Sequence, residues 1–366
     1  MPRSRPILRA DASLRDASVT ATAATAEGPG RATQPAPALR IGVLALEGCL
    51  LSSLASAGDM LRVAQTLAQI RDPLHAPRFE CLLVSARGST RVALANGLEL
   101  SGLVPVPEHL DVLIVPGLMH NSVHDLSLRI QRLEPELALL RQLHARGVRL
   151  AGTCSGTFLL AESGLLEGRR ATTSWWLSAM FRQRYPNVVL DETQLFVDAG
   201  ELLTAGASCA SQSMVLRLIA QVAGDELAQQ TARMLLVDPE RQSQAPYVNR
   251  ALIERPRHSL SEKAEHFLHN ELHEEISVAR LAEHCGTSER SLLRHFRSHF
   301  GVSPMEHIQH LRVERAKALL ETSRLSFEEI VERCGYSDVS SFRKLFKRAT
   351  TLTPMDYRER FRLRAH

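Results

Sequence analysis

The C-terminal third of the chain is written twice. "LAEHCGTSERSLLRHFRSHFGVSPMEHIQHLR" and "IVERCGYSDVSSFRKLFKRATTLTPMDYRERFR" share one layout. Each has a short amphipathic helix ending Cys-Gly, a turn carrying serine, a second helix with Phe in its last turn, then Ser/Thr-Pro-Met-acid. Phe296 corresponds to Phe346 and Pro304 to Pro354, at one and the same offset. A repeat constrains a fold more than a single motif does, because both copies must solve the same packing problem. Helix, short turn, helix is the geometry of a helix-turn-helix unit. Gly286 and Gly335 supply the left-handed conformation that ends the first helix of each copy. Ser303 with Glu306, and Ser326 with Glu329, form capping boxes. Pro304 and Pro354 fit the first helical position, where a missing N–H costs nothing.

Spacing sets which faces look outward. Leu292 and Phe296 are four apart and pack inward, leaving Glu289, Arg290, Leu293 and Arg294 on the opposite face. In the second copy Phe342 and Phe346 point in, leaving Val339, Ser340, Arg343 and Lys344 out. Arg grips a guanine edge bidentately, while Lys and Ser reach bases or phosphates. From Val339 to the end there are eight Lys/Arg against two acids, a local excess hidden by the overall net charge of +4. The plainer alternative is a solvated basic face on an ordinary helical bundle. A helix over 304–323 joins the copies. At ~1.5 Å per residue it is about 30 Å long, close to the roughly 34 Å of one duplex turn. Double-stranded promoter DNA is the partner this arrangement fits.

The rest of the chain has a different texture. Its 366 residues suffice for two or three domains. Residues 1–37 are rich in Ala, Arg, Pro, Ser and Thr without apolar periodicity, which predicts a disordered leader. "LRIGVLAL", "LDVLIVPG" and "VRLAG" are short apolar runs suited to buried parallel strands, with helical patterns between them. Residues 38–236 therefore read as an α/β sandwich with a mostly parallel sheet. Residues 237–258, with three prolines and no periodicity, read as a linker, and 259–366 as all-α with two helix-turn-helix units. The six cysteines form no CxxC pair and no cluster with ligand spacing, which predicts reduced thiols, a cytoplasmic location, and neither metal nor cofactor. No apolar run is long enough to span a bilayer.

"AGTCSGTFLLAESGLLEGRRATTSWW" holds both tryptophans of the chain. A strand feeding small residues, then Cys154, then a helix is the sharp turn of a nucleophile elbow. There a thiol faces a cleft beside a helix N-terminus that lowers its pKa; a buried structural cysteine looks the same in sequence. Cysteine catalysis needs a base, most often His, and the twenty residues after Cys154 contain none. His120 and His124, after "VPGLMH", are the remaining candidates.

These motifs carry two resemblances. Residues 259–361 resemble the seven-helix DNA-binding domain of AraC-type regulators. "LIVPGLM", the elbow, "LAESGLLEGRRATTSWW" and "LAQQTARMLLVDPERQSQAPYV" resemble class I glutamine amidotransferase-like domains of the PfpI type, with a flavodoxin-like sheet. The combination is similar to the GlxA family of regulators. The resemblance implies a His about twenty residues after the cysteine, where this chain has Ser174. It also implies an acidic residue after the first strand, where this chain has Ser53, with Glu47 nearby. "ASCASQSMVL" lacks a further expected acid. A serine is no base for a thiol near neutral pH, so no catalytic residue is assigned.

What remains is a candidate pocket of Cys154, Ser53, Gly117, Ser174, Trp175 and Trp176. The resemblance implies a small amino or amine-type metabolite, and tryptophan faces attract cations. The replacement of acids by serine argues instead for a neutral or anionic ligand, and the plainer alternative for the tryptophans is that one or both pack under the sheet. The resemblance further implies a homodimer and an activator that meets RNA polymerase. The competing readings are a cysteine-dependent amidase or deglycase, and a thiol redox sensor, each fused to a DNA-binding domain.

Overall fold

The computed structural model describes residues 38–207, 209–249, 252–253 and 258–362. The leader assigned to 1–37 lies outside the described residues. From Ala36 onward the chain clusters as one unit.

The chain begins β1 (Ala38–Leu44), α1 (Leu51–Arg71), β2 (Arg78–Ser85), β3 (Arg91–Ala93), β4 (Glu99–Ser101), β5 (Val104–Pro105) and β6 (Val112–Val115). It continues α2 (Val123–Gln131), α3 (Glu134–Ala145), β7 (Arg149–Thr153), α4 (Gly156–Glu162), β8 (Arg170–Ala171), α5 (Ser178–Arg184) and β9 (Val189–Leu190). Then come β10 (Phe196–Asp198), β11 (Leu202–Ala205), α6 (Ala210–Ala223) and α7 (Asp225–Met234). Seven strands form one sheet in the order β10-β11-β7-β6-β1-β2-β5. Its pairs are parallel except β10–β11 at the edge. Strands β6 and β11 are buried end to end and β1 and β7 nearly so, because helices cover both faces. Helices α1, α6 and α7 pack together, as do α2, α3 and α4. This is the α/β sandwich read from the sequence.

Two local differences have simple causes. The pattern over 125–147 is two helices, broken at Arg132 and Leu133 ahead of Pro135, which has no N–H to bond back to Gln131 and so seats in the first turn of α3 instead of continuing α2. The described part of the segment read as a linker makes defined contacts. Ser243 bridges to Gln194, Gln244 is 2% exposed, and residues Ala245–Tyr247 form a 3-10 turn.

The C-terminal half runs α8 (Ser259–Glu271), α9 (Val278–His284), α10 (Glu289–His299), α11 (Pro304–Thr322), α12 (Phe327–Arg333), α13 (Val339–Thr350) and α14 (Pro354–Phe361). Capping boxes at Ser303/Glu306 and Ser326/Glu329 are both formed, and Thr353/Asp356 adds a third. There are two hydrophobic cores. Leu268, Leu281, Leu292, Phe296 and Ile308 belong to one; Val313, Leu320, Ile330, Phe342 and Phe346 belong to the other. α11 enters both.

Gly156 anchors the start of α4 against the β6 corner. A Cβ there would lie 2.2 Å from the Val115 carbonyl oxygen and 2.7 Å from that of Pro116. Backbone on both sides leaves no cheap relaxation. Gly156→Ala is expected to cost about 3 kcal/mol, read as a lower urea midpoint at unchanged slope.

Candidate ligand pocket and nucleic-acid interface

Strand β7 delivers Cys154 into a left-handed backbone conformation, φ 54°. Non-glycine residues occupy this region only when their surroundings compel it. The compulsion is visible here. The Cys154 N–H donates to the carbonyls of Ala205 and Gly206, at 3.0 and 2.8 Å. Next to it, buried Ser155 accepts from the Leu118 N–H at 2.8 Å and donates to the Leu118 carbonyl at 3.2 Å. The elbow is thus pinned both to β11 and to the corner after β6. Gly117 leaves room for the sulfur: a Cβ there would stand 3.0 Å from Cys154 Cβ and 3.3 Å from Sγ.

Ser174 donates from Oγ to Cys154 Sγ at 3.0 Å, and Thr173 donates from Oγ1 to the Cys154 carbonyl at 2.7 Å. Ser155 supplies the other hydrogen bonds to the thiol. Desolvation nevertheless pushes the Cys154 pKa up; those bonds only partly oppose it. This corrects the expectation that a helix N-terminus lowers it. Helix α4 has only seven residues, and half-buried Cys154 loses more to desolvation than its hydrogen bonds return.

The candidate bases are elsewhere. His120 Nδ1 lies 3.0 Å from the Leu118 carbonyl, and His124 is exposed on α2. Among the described residues no histidine is hydrogen-bonded to Cys154. Ser53 is buried in the first turn of α1 and is not among the groups bonded to the thiol. The tryptophans form an edge-to-face pair with centroids 5.3 Å apart. Trp175 packs with Val248 and Ile253, and half-buried Trp176 packs beside it. The structure therefore brings Cys154, Gly117 and Ser174 together, while Trp175 spends its surface on the segment after the 3-10 turn.

Sequence reasoning missed Gln244. Its Nε2 reaches the carbonyls of Thr173 and Gln194 at 2.9 Å each, with Thr172 Oγ1 and the Glu192 carbonyl at 3.2 Å. Gly206 makes room for it, since a Cβ there would lie 2.4 Å from Gln244 Cδ. No periodicity marks a lone glutamine of this kind. Also missed was a cleft of about 860 Å³ at the carboxyl ends of β1, β2 and β6. In parallel sheets ligands gather at such ends, where the strand order turns back. Glu47, Arg87, Asp125, Arg129, Arg132 and Glu136 line it. Arg87 pairs with Glu136 at 2.6 Å and Arg129 with Asp125 at 3.1 Å. Glu47 and Arg132, both exposed, have no ion pair among the described residues. Leu118, on the cleft wall, is the residue gripped by Ser155.

In the helical half α10 buries Leu292 and Phe296 and leaves Glu289, Arg290, Leu293 and Arg294 exposed. In α13, Phe342 and Phe346 are inside; Ser340, Arg343 and Lys344 are outside. Val339 departs from the outward reading. It is half-buried against the second core, because a residue just after the helix cap (here Asp338) lays its side chain back over the preceding turn. Arg343 is exposed but engaged, 3.6 Å from Glu328 and over the Phe327 ring.

Two exposed, basic second helices joined by a long helix define a DNA-binding protein of the helix-turn-helix class. A family model described as a helix-turn-helix domain matches residues 281–360. The chain is 28% identical over 330 residues to the HTH-type transcriptional regulator CdhR of Pseudomonas aeruginosa, spanning 88% of this chain and 92% of that one. It is 29% identical over 335 residues to the HTH-type transcriptional regulator GlxA of Rhizobium meliloti, spanning 88% and 96%. Among solved structures, an AraC family transcriptional regulator from Pseudomonas putida shares 24% identity over 54% of this chain and 99% of that one, at a TM-score of 0.45. Drosophila melanogaster DJ-1beta shares 18% over 55% and 99%, at 0.44. Over most of its length the chain is thus similar to HTH-type transcriptional regulators, GlxA among them, and its C-terminal half carries a helix-turn-helix domain. No helix among the described residues is long and apolar enough to cross a membrane.

The thiolate is the reactive form of cysteine. With its pKa raised, Cys154 is expected to react slowly with iodoacetamide at pH 7.5. Its rate should still be climbing above pH 9, where an ordinary cysteine thiol, with a pKa of roughly 8.5, is already mostly ionised. Peptide mass spectrometry across pH checks this. Ser174→Ala, which removes a bond to the sulfur, should move the profile further up.

Proposed function

We propose that the α/β half is a sensor without catalytic activity, that it controls promoter binding by the helical half, and that the regulator works in the cytoplasm as a homodimeric activator. The observation that carries the non-catalytic reading is Ser174. A hydroxyl 3.0 Å from the sulfur stands where a base is needed, and it can solvate the thiol but cannot take its proton at neutral pH.

A small amino or amine-type metabolite is the proposed ligand, and its seat is the charged cleft rather than the space over Cys154. Glu47 and Arg132 offer a carboxylate and a guanidinium to a molecule bearing both charges, while Trp175 is occupied in packing. Occupancy would be felt at the elbow through Leu118, and from there along short contacts. Thr173 holds the Cys154 carbonyl, Gln244 holds the Thr173 carbonyl, and the turn after Gln244 ends at Val248. The Val248 carbonyl accepts from Lys317 Nζ on α11. A ligand acts only through states that bind it differently, and this strap is the element proposed to have two positions.

Thermal shifts with amino acids, betaines and other amines test the sensor. A stabilising compound should lose most of its shift in Glu47→Gln and Arg132→Gln but keep it in Cys154→Ala. Retention in all three variants would move the site elsewhere, and a turnover abolished by Cys154→Ser would restore the enzyme reading. For DNA, Arg294→Ala and Lys344→Ala should each weaken specific binding by about tenfold, as expected for loss of one base or phosphate contact. Gel shifts at fixed salt on duplexes enriched by the wild-type protein measure this.

A further inference from the structure

Where α11 passes from the first hydrophobic core to the second, the residue at the crossing is a buried arginine. Ile308 belongs to the first core and Val313 to the second; Arg312, between them, is 8% exposed. Its guanidinium serves neither core. Nη2 donates to the Glu274 carbonyl at 2.7 Å and Nε to the Leu272 carbonyl at 3.3 Å, both in the loop between α8 and α9 of the first unit. Its other face lies over the ring of Tyr336, 5.1 Å from the centroid, in the turn of the second unit. Beside it Gly335 sits at φ +75°, and a Cβ there would be 2.6 Å from the Leu272 carbonyl oxygen and 2.9 Å from His273 carbon. The turn of one unit thus rests directly on the loop of the other, with Arg312 bonded to the first and stacked on the second.

We infer that Arg312, with Tyr336 and Gly335, is a positioning clamp that fixes the angle between α10 and α13, and so the spacing of the DNA elements that both helices can read at once. The inference rests on the helix-turn-helix units being the DNA-reading surface. Arg312 does not itself face DNA. A guanidinium suits this place because its planar fork bonds two carbonyls while its face stacks on an aromatic ring, and neither Met nor Lys does both. Without it the two small cores are joined through one helix and a loose contact, and each unit keeps its own reading face.

The test uses the full chain. Duplexes enriched by the wild-type protein from a random pool are resynthesised with the two contacted elements moved apart or together by one and two base pairs. The wild-type protein should prefer the original spacing by about tenfold or more over the shifted ones, the scale of a lost base contact. Arg312→Met should flatten that preference to near unity while still binding a duplex carrying a single element as the wild-type protein does. Arg312→Lys should restore part of the preference, and Tyr336→Leu should flatten it with the arginine intact. Unchanged spacing preference in both Arg312→Met and Tyr336→Leu would overturn the clamp. So would equal loss on single-element and two-element duplexes, the mark of a merely structural role. A wild-type protein that enriched no duplex would overturn the DNA-reading assignment, and the clamp with it.

Discussion

Helix α11 carries two burdens that pull on its sequence. Its first half must complete the core around Phe296, and its second half the core around Phe342 and Phe346. Clusters this small are marginal alone, since little of a short chain can be withdrawn from water. Each is viable because α11 lends it a face and is itself fixed by the other. The buried positions of α11 accordingly run around the helix instead of down one stripe: His307, Ile308, Arg312, Val313, Ala316, Lys317 and Leu320. A helix buried on so much of its surface is expected to be apolar throughout. This one places Arg312 and Lys317 inside, where each finds backbone carbonyls beyond its own helix.

The same economy governs the α/β half. Cys154 is held in a costly backbone conformation by its own bonds to the end of β11 and by those of Ser155 to Leu118, of the kind that otherwise aims a nucleophile at a substrate. This is the sharp strand-to-helix turn read from the sequence. What differs is the group over the sulfur. A serine at hydrogen-bonding distance donates to the sulfur and partly offsets the desolvation that raises the thiol's pKa, and desolvation prevails. Strain of this kind is what would let a small push choose between two packings of the elbow, as the proposed sensor requires.

Much of this was legible from residues alone. The duplicated Cys-Gly, Phe and Ser/Thr-Pro signals fixed both helix-turn-helix units, since capping and periodicity are local and survive any tertiary context. Apolar runs ending at Gly or Pro gave the buried strands, and small residues around Cys154 gave the elbow. The rest depends on long-range pairing, which leaves no periodic trace. Gln244 lies far along the chain from Thr172 and Thr173, Arg312 from Leu272, and Lys317 from Val248. Charged positions on a helix read as solvent-facing, and a prolyl segment reads as loose, until the carbonyls they satisfy are known. Val339 failed for a smaller reason: at a helix start a side chain leans backward, so spacing alone misplaces it by nearly a turn.

The two halves also share a way of being joined. Apolar seams would hold more tightly, since burying a charge or an amide costs energy that hydrogen bonds only repay. Yet the elbow meets the following segment through Gln244, that segment meets α11 through Lys317, and the two DNA-reading units meet through Arg312. Each joint includes one long polar side chain whose donors meet backbone carbonyls, beside apolar contacts such as Trp175 on Val248 and Tyr247 against Phe361. Such a joint is directional: a displacement of an ångström breaks bonds of about 1 kcal/mol each, and leaves carbonyls unsatisfied at ~1–3 kcal/mol apiece. An apolar seam tolerates the same slip by repacking. Polar joints therefore make relative orientation discrete, which is what the proposed clamp and the proposed strap both require, at the expense of the last increment of stability.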